Sequence, residues 1–229
     1  MKISPSICTG GYAEVAQTLR WLEDMGADRI HIDIMDGCYV KSIMGGVDYV
    51  NMIRRETRLP IELHFMCCKP EQFIEMYQIR EGELICIHAD STNHPHRLLQ
   101  SIRAKGGRTA LVLAVEDKPE DSVELIAELD EIILMGVQTG CPGVEFQRSV
   151  FDKIKKIRRI SAEMSKSILL TVDGSVSPEN IRELVLSGAD SVVLGYPGCF
   201  DPVHGREHTL SLMLRLIREA ELELREAGK

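Results

Sequence analysis

Between Arg29 and Gly37 the chain reads Arg-Ile-His-Ile-Asp-Ile-Met-Asp-Gly. In an extended strand successive side chains point to opposite faces, so His31, Asp33 and Met35 share one face while Ile30, Ile32 and Ile34 take the other. The isoleucine face suits packing under helices; the other face carries an imidazole, a carboxylate and a thioether. An amphipathic edge strand with its polar side in water would alternate in the same way, so the stretch needs partners before it implies chemistry. They come at Leu63-His64-Phe65-Met66, where His64 and Met66 share a face, at His88 and Met135, and at Val172-Asp173-Gly174. A single strand histidine is ordinarily a hydrogen-bonded core group. Two histidines and two carboxylates meeting at one rim instead make a nitrogen and oxygen ligand set for a divalent metal: zinc, iron, manganese or cobalt.

Such a meeting requires elements that bring distant strand ends together. Short runs rich in Ile, Val and Leu fall near 3–7, 29–35, 60–66, 84–89, 108–115, 131–137, 168–173 and 190–195. Segments of helical period lie between them, near 11–25, 46–57, 70–80, 94–105, 119–128, 146–164, 178–187 and 206–226. Gly26, Gly82, Gly106 and Gly188 sit where helices should stop, and Pro70, Pro119 and Pro178 where they should start. Eight such units with no linker between them predict one α/β domain over 1–229, a (β/α)8 barrel, because open doubly wound sheets usually end at five to seven strands. Chemistry then belongs at the C-terminal strand ends, where Ser6, His31, Asp33, His64, Met66, His88, Met135, Asp173 and Gly195 all fall. The glycines of Asp173-Gly174-Ser175 and Gly195-Tyr196-Pro197-Gly198 open the last two loops, where barrels commonly hold a phosphate against backbone N–H groups. The last helix is expected to pack Leu216, Ile217 and Leu224 on the barrel.

Composition narrows the field. Hydrophobic residues make up 44% and charged ones 27%, an ordinary globular mix, and the net charge of −8 argues against a nucleic-acid partner. The N-terminus has no apolar signal segment, and the longest apolar run, Ala110 to Val115, is far too short to span a bilayer, so a cytoplasmic protein without a membrane partner is expected. Seven cysteines with no Cys-x-x-Cys pair fit reduced thiols.

Ser4-Pro5-Ser6-Ile7, the run His-Ile-Asp-Ile-Met-Asp-Gly at 31–37, Leu63-His64-Phe65-Met66, the Met135 strand and Val172-Asp173-Gly174 together resemble the ribulose-phosphate 3-epimerase family, in order and spacing, over essentially the whole chain. The resemblance implies a ribulose-phosphate-binding type of barrel and an isomerase, an epimerase of a ketose phosphate such as ribulose 5-phosphate. It implies one divalent ion held by His31, Asp33, His64 and Asp173, with Asp33 and Asp173 as the two acid/base groups. By the same carry-over Met35, Met66 and Met135 pack around an enediolate, Ser6 and His64 contact the sugar, and Gly140, Cys141, Pro142, Gly143, Gly174, Ser175, Gly195 and Tyr196 hold the phosphate end. The family often forms homo-oligomers. The division of roles is chemically sound, since inversion beside a ketone removes a proton from one face of C3 and returns one to the other.

Departures bear on the substrate. After Met-Asp-Gly the family usually continues His-Phe-Val-Pro-Asn, and here stands Cys38-Tyr39-Val40-Lys41-Ser42; the sixth loop reads Gln138-Thr139-Gly140-Cys141-Pro142-Gly143-Val144 in place of Asn-Pro-Gly-Phe-Gly-Gly-Gln. Met-Lys-Ile-Ser-Pro-Ser and Asp-Gly-Ser resemble the allulose 6-phosphate branch, which keeps that sugar open as the substrate. Two other readings stand beside these: a decarboxylase or aldolase-like synthase, which would usually place a lysine beside its strand acids where no expected strand has one, and a non-catalytic sugar-phosphate sensor. Cys8, Cys38, Cys67, Cys141 and Cys199 all follow strands on the expected active face, a placement that chance and simple packing explain on one reading and that on the sharper one predicts sensitivity to oxidation or to thiol-binding metals.

Overall fold

A computed structural model of the protein describes residues 1–141 and 143–227. Among the described residues nine strands form one sheet: β1 (Lys2–Pro5), β2 (Ile30–Asp36), β3 (Ile43–Met44), β4 (Ile61–Met66), β5 (Leu84–His88), β6 (Arg108–Leu113), β7 (Glu131–Met135), β8 (Leu169–Asp173) and β9 (Ser191–Leu194). Their order is β1-β9-β8-β7-β6-β5-β4-β2-β3, parallel throughout except for β3, which runs antiparallel to β2. The eight parallel strands close through a single parallel bridge between Ser6 and His31, so the sheet is a barrel. Among the described residues seven α-helices, α1 (Val15–Asp24), α2 (Val47–Glu56), α3 (Pro70–Tyr77), α4 (Pro95–Ala104), α5 (Ser149–Glu163), α6 (Ile181–Ser187) and α7 (Arg206–Ala227), cover the outside.

The strand alternation does what the sequence predicts. Ile30, Ile32 and Ile34 are buried in the layer between barrel and helices, together with Leu63, Phe65, Ile132, Leu134, Leu170 and Val172. The opposite parity faces the lumen, where Leu84, Cys86, Ala110, Val112, Ile133 and Met135 form a separate apolar cluster.

Four expectations need correction. The segment 119–128 is a 3₁₀ helix, not an α-helix. Pro119, Ser122, Leu125 and Ile126 are all buried, and the first three repeat at three residues, the period of a 3₁₀ turn. The short strand β3 replaces the loop expected before α2: after β2 the chain turns at Gly37, pairs Met44 with Met35 and turns again at Gly45, whose φ of +74° puts it where only glycine sits without strain. A Cβ on Gly45 would lie 2.2 Å from the Asp33 carbonyl oxygen. On α7 it is Leu210, Met213, Ile217 and Ala220 that are buried, while Leu224 is exposed, because the helix runs past the barrel before its last turns. Finally, β1 does contain a lysine, Lys2, but it is exposed at the strand's N-terminal end, opposite the mouth.

Candidate active site

Register brings the chemistry together. Asp33 on β2 lies beside His64 on β4, Met35 beside Met66, and Met135 on β7 beside Asp173 on β8. His31 Nε2 is 3.1 Å from Asp33 Oδ1 and 3.7 Å from Asp173 Oδ2; His64 Nδ1 is 3.3 Å from Asp33 Oδ1 and 3.4 Å from Asp173 Oδ2. All four ligand atoms lie within 4.8 Å of one another. Donors bound to one tetrahedral ion at roughly 2.0–2.2 Å sit roughly 3.3–3.6 Å apart, so the spacing suits a single divalent cation. His64 Nδ1 is buried, makes no aligned hydrogen bond among the described residues, and faces both carboxylates.

The groups behind the cluster fix both histidine tautomers. His31 Nδ1 hydrogen-bonds the buried Glu62, which pairs with Arg29 at 2.6 Å. The carboxylate accepts the hydrogen bond of Nδ1–H, so the neutral ring presents Nε2 to the cluster. His64 Nε2 donates to His88 Nε2 at 2.9 Å, and the two rings stack. His88 is held well below its ordinary pKa, by burial first and then by the neighbouring His64, so it is neutral and able to accept. Ser6 Oγ donates to Asp33 Oδ2 at 2.8 Å.

Electrostatics favour positive charge at this point. Burial would lower the pKa of His31, but Asp33 and Glu62 outweigh it and hold the imidazole well above its usual range; His64 is raised against the same burial by Asp173 and Asp33. Burial would conversely raise Asp33, yet the charge and the hydrogen bond of His31, with His64 close by, hold its carboxyl far below the usual range.

Above the cluster opens a cavity of about 170 Å³. Ser6, Asp33, Met35, His64, Met66, Met135, Gly140, Cys141, Gly143, Asp173, Gly174, Ser175, Gly195 and Tyr196 line it, each at a position singled out from the sequence. Pro142 lies outside the described residues. His31 is fully buried below the cavity floor and does not line it. The sequence did not point to Met44, Thr9, Val137 or Val193, which also line the cavity, as does Pro197 of the eighth loop. Met44 was legible only through the two glycines around its short strand. Glu62 and Arg29 were legible by parity, since Arg29 shares a face with His31 and Glu62 with His64. Gly174 has φ +103°, and a Cβ there would meet Val137 Cγ2 at 2.6 Å, so the loop after β8 runs tight against the one after β7.

The model of the ribulose-phosphate 3 epimerase family matches residues 2–197. The chain belongs to the ribulose-phosphate 3-epimerase family. A ribulose-phosphate 3-epimerase of Bacillus subtilis is 33% identical over 196 residues, 85% of this chain and 90% of that protein. A chloroplastic ribulose-5-phosphate-3-epimerase of Arabidopsis thaliana is 31% identical over 196 residues, 84% of this chain and 69% of that one. Membership in the ribulose-phosphate 3-epimerase family makes the chain an isomerase of the carbohydrate-epimerase type. Among solved structures, an orotidine 5'-monophosphate decarboxylase from Sulfolobus solfataricus superposes with a TM-score of 0.66 at 14% identity, covering 96% of this chain and 98% of that one. A 3-hexulose-6-phosphate synthase gives 0.64 at 15% identity over 96% and 99%. At such identities the likeness speaks for the barrel alone. Among the described residues no helix is long and apolar enough to cross a membrane.

Proposed function

We propose that the protein is a metal-dependent 3-epimerase of a ketose phosphate, with ribulose 5-phosphate and xylulose 5-phosphate as the favoured pair. The observation that carries this is the pairing of two carboxylates, Asp33 and Asp173, across one small cavity, each within 3.4 Å of the same His64 nitrogen. In this reading His31, Asp33, His64 and Asp173 hold one divalent cation, for which zinc, iron, manganese and cobalt all suit the donor set. A bound cation would supply positive charge to the substrate oxygens on which negative charge develops.

The chain's own residues do the rest. One aspartate, as carboxylate, takes the C3 proton from one face of the sugar; the other, as carboxylic acid, returns a proton to the opposite face of the planar enediolate. The reverse reaction exchanges the roles. Ser6 orients Asp33 through its hydrogen bond, so the carboxylate keeps one oxygen toward the cluster. Met35, Met44, Met66 and Met135 shape apolar walls that adapt to a flat intermediate and exclude water from it. Gly140, Cys141, Gly143, Gly174, Ser175, Gly195 and Tyr196 form the far side of the cavity, where the phosphate would lie against backbone N–H groups. No lysine is among the described residues lining the cavity, which weighs against the decarboxylase and synthase readings despite the shared barrel.

The altered loops after β2 and β7 leave allulose 6-phosphate as the alternative substrate. Proton exchange in deuterated water, followed by NMR on metal-loaded protein, tests all of these. Deuterium at C3 together with the inverted sugar supports the epimerase, and comparison of ribulose 5-phosphate, allulose 6-phosphate and a four-carbon ketose phosphate ranks the substrates. Asp33→Asn and Asp173→Asn should each lower turnover roughly 10²–10⁴-fold. Absence of exchange with every sugar, with metal bound and the fold intact, would move the reading to a non-catalytic sugar-phosphate sensor.

A further inference from the structure

A second set of metal-ligating groups stands on the rim, outside the cavity. Asp36, Cys38 and Cys68 each offer a ligand atom, and the three atoms lie within 4.8 Å of one another. The pairing of β2 with β4 produces the arrangement: Met35 lies beside Met66, so the residues just beyond each strand end emerge side by side. Asp36 then ties the two turns together. Its Oδ1 accepts the backbone N–H groups of Cys38 and Tyr39, both at 2.8 Å, and its Oδ2 accepts that of Cys68 at 2.7 Å. The carboxylate thus holds both cysteine backbones and leaves lone-pair capacity on Oδ2. Cys38 is exposed and Cys68 half-buried, whereas Cys8, Cys67, Cys86 and Cys199 are buried.

We propose that Asp36, Cys38 and Cys68 form a cation site distinct from the His/Asp cluster, taking one borderline or soft divalent ion such as zinc or cadmium. Two thiolates and one carboxylate oxygen, with water completing the shell, are a donor set for these ions and a poor one for magnesium or calcium. Tetrahedral ligands around zinc lie roughly 3.5–3.8 Å apart when two are sulfur, a span the three groups accommodate with small side-chain rotations. The neighbourhood is anionic. The Cys68 thiol is pushed up to about 11, first by its hydrogen bond with Cys38, then by burial and by the charges of Cys38, Asp36 and Asp90. Each of these charges attracts a cation as it repels a thiolate. Binding would release the two thiol protons to solvent and convert both sulfurs to thiolate ligands. The ion would cross-link the turns after β2 and β4, whose strands also carry His31, Asp33 and His64.

This site does not depend on the epimerase reading, and its test has a readout the His/Asp cluster does not give. The reduced full chain is titrated with Cd2+ under anaerobic conditions while the ultraviolet thiolate-to-cadmium charge-transfer band is followed. A cluster of nitrogen and oxygen donors produces no such band. The expected result is a band whose final intensity corresponds to one thiolate-bound Cd2+ per chain, complete by two added equivalents because the His/Asp cluster takes the other silently, together with protection of Cys38 and Cys68 from alkylation, located by peptide mass spectrometry. Cys38→Ser and Cys68→Ser should each weaken the band-forming affinity by about 100-fold or more, since even the loss of an outer partner costs roughly 10–100-fold. No band with the thiols shown to be reduced, an undiminished band in the double variant, or protection that falls on other cysteines would each overturn the proposal. The protection experiment on the unmodified chain decides the matter even if a variant misfolds.

Discussion

At the residue scale the cluster's behaviour is set by what stands behind each imidazole. His88→Ala would leave the buried Nε2–H of His64 without an acceptor, at a cost of about 1–3 kcal/mol, and free the ring to turn away from the carboxylates. Metal affinity measured against a competing chelator should fall roughly 10–100-fold, and His88→Gln, which restores an acceptor, should recover part of it. An unchanged affinity in His88→Ala would mean that packing alone orients His64. The pH dependence follows from the same groups. His31 and His64 both bind protons more tightly in the folded chain than at the ordinary value of 6.5. In chelator-treated protein they therefore add stability that is complete below about 6.5 and is lost as the pH rises through their own higher range. Metal ligation needs the neutral rings, so the stabilisation conferred by added metal grows over that same range. Thermal melts from about pH 6 to about pH 8 should show the metal-free and metal-loaded curves diverging as pH rises; a constant gap would exclude the two histidines as ligands. These four residues were legible in the sequence because strand parity is strict: once Ile30, Ile32 and Ile34 face the helices, His31 and Asp33 have one direction left.

At the element scale legibility ends where structure depends on a neighbour. The eight parallel strands and most helices follow from local pattern, since each carries its own period and its own glycine or proline stop. The 3₁₀ segment at 119–128 does not, because the choice between three and 3.6 residues per turn lies in which side chains the barrel buries. Strand β3 is hidden for a similar reason. Two residues cannot display a period, and Ile43 is exposed, so its hydrophobicity points the wrong way. What fixes it is the close approach of Gly45 to the Asp33 carbonyl. Gly45→Ala brings a Cβ into that carbonyl and forces a left-handed backbone on alanine, which should cost about 1–3 kcal/mol in chemical denaturation. Because β3 places Met44 in the cavity wall, the same variant should raise KM for the sugar phosphate more than a surface substitution of equal destabilisation. If stability falls with KM unchanged, Met44 is not part of the substrate's environment.

At the scale of the whole molecule, the barrel is joined through its lumen by one buried ionic network below the site. Arg29 at the start of β2 pairs with Glu62 of β4 at 2.6 Å, donates to Glu131 of β7 at 2.8 and 2.5 Å, and reaches Thr171 of β8 at 3.1 Å and Ser191 of β9 at 3.3 Å. Five of the eight barrel strands therefore share one guanidinium, and one of its two carboxylate partners, Glu62, is the one that sets the His31 tautomer. Buried ion networks of this kind contribute little against an apolar replacement of the whole set, but removing one partner is expensive, because the charges left behind stay out of water. Arg29→Met leaves Glu62 and Glu131 buried without their cation and should cost about 3–5 kcal/mol. For a chain of this length that corresponds to a Tm lower by roughly 6–20 °C. The triple variant Arg29→Met, Glu62→Gln, Glu131→Gln removes the uncompensated charge and should regain most of that stability. It should not regain tight metal binding, because a glutamine beside His31 Nδ1 can present its amide N–H and favour the tautomer with the proton on Nε2. Recovery of stability without recovery of metal affinity would establish that the network serves the site through Glu62 and the barrel through charge balance; parallel recovery of both would mean that His31 needs only a well-packed neighbour.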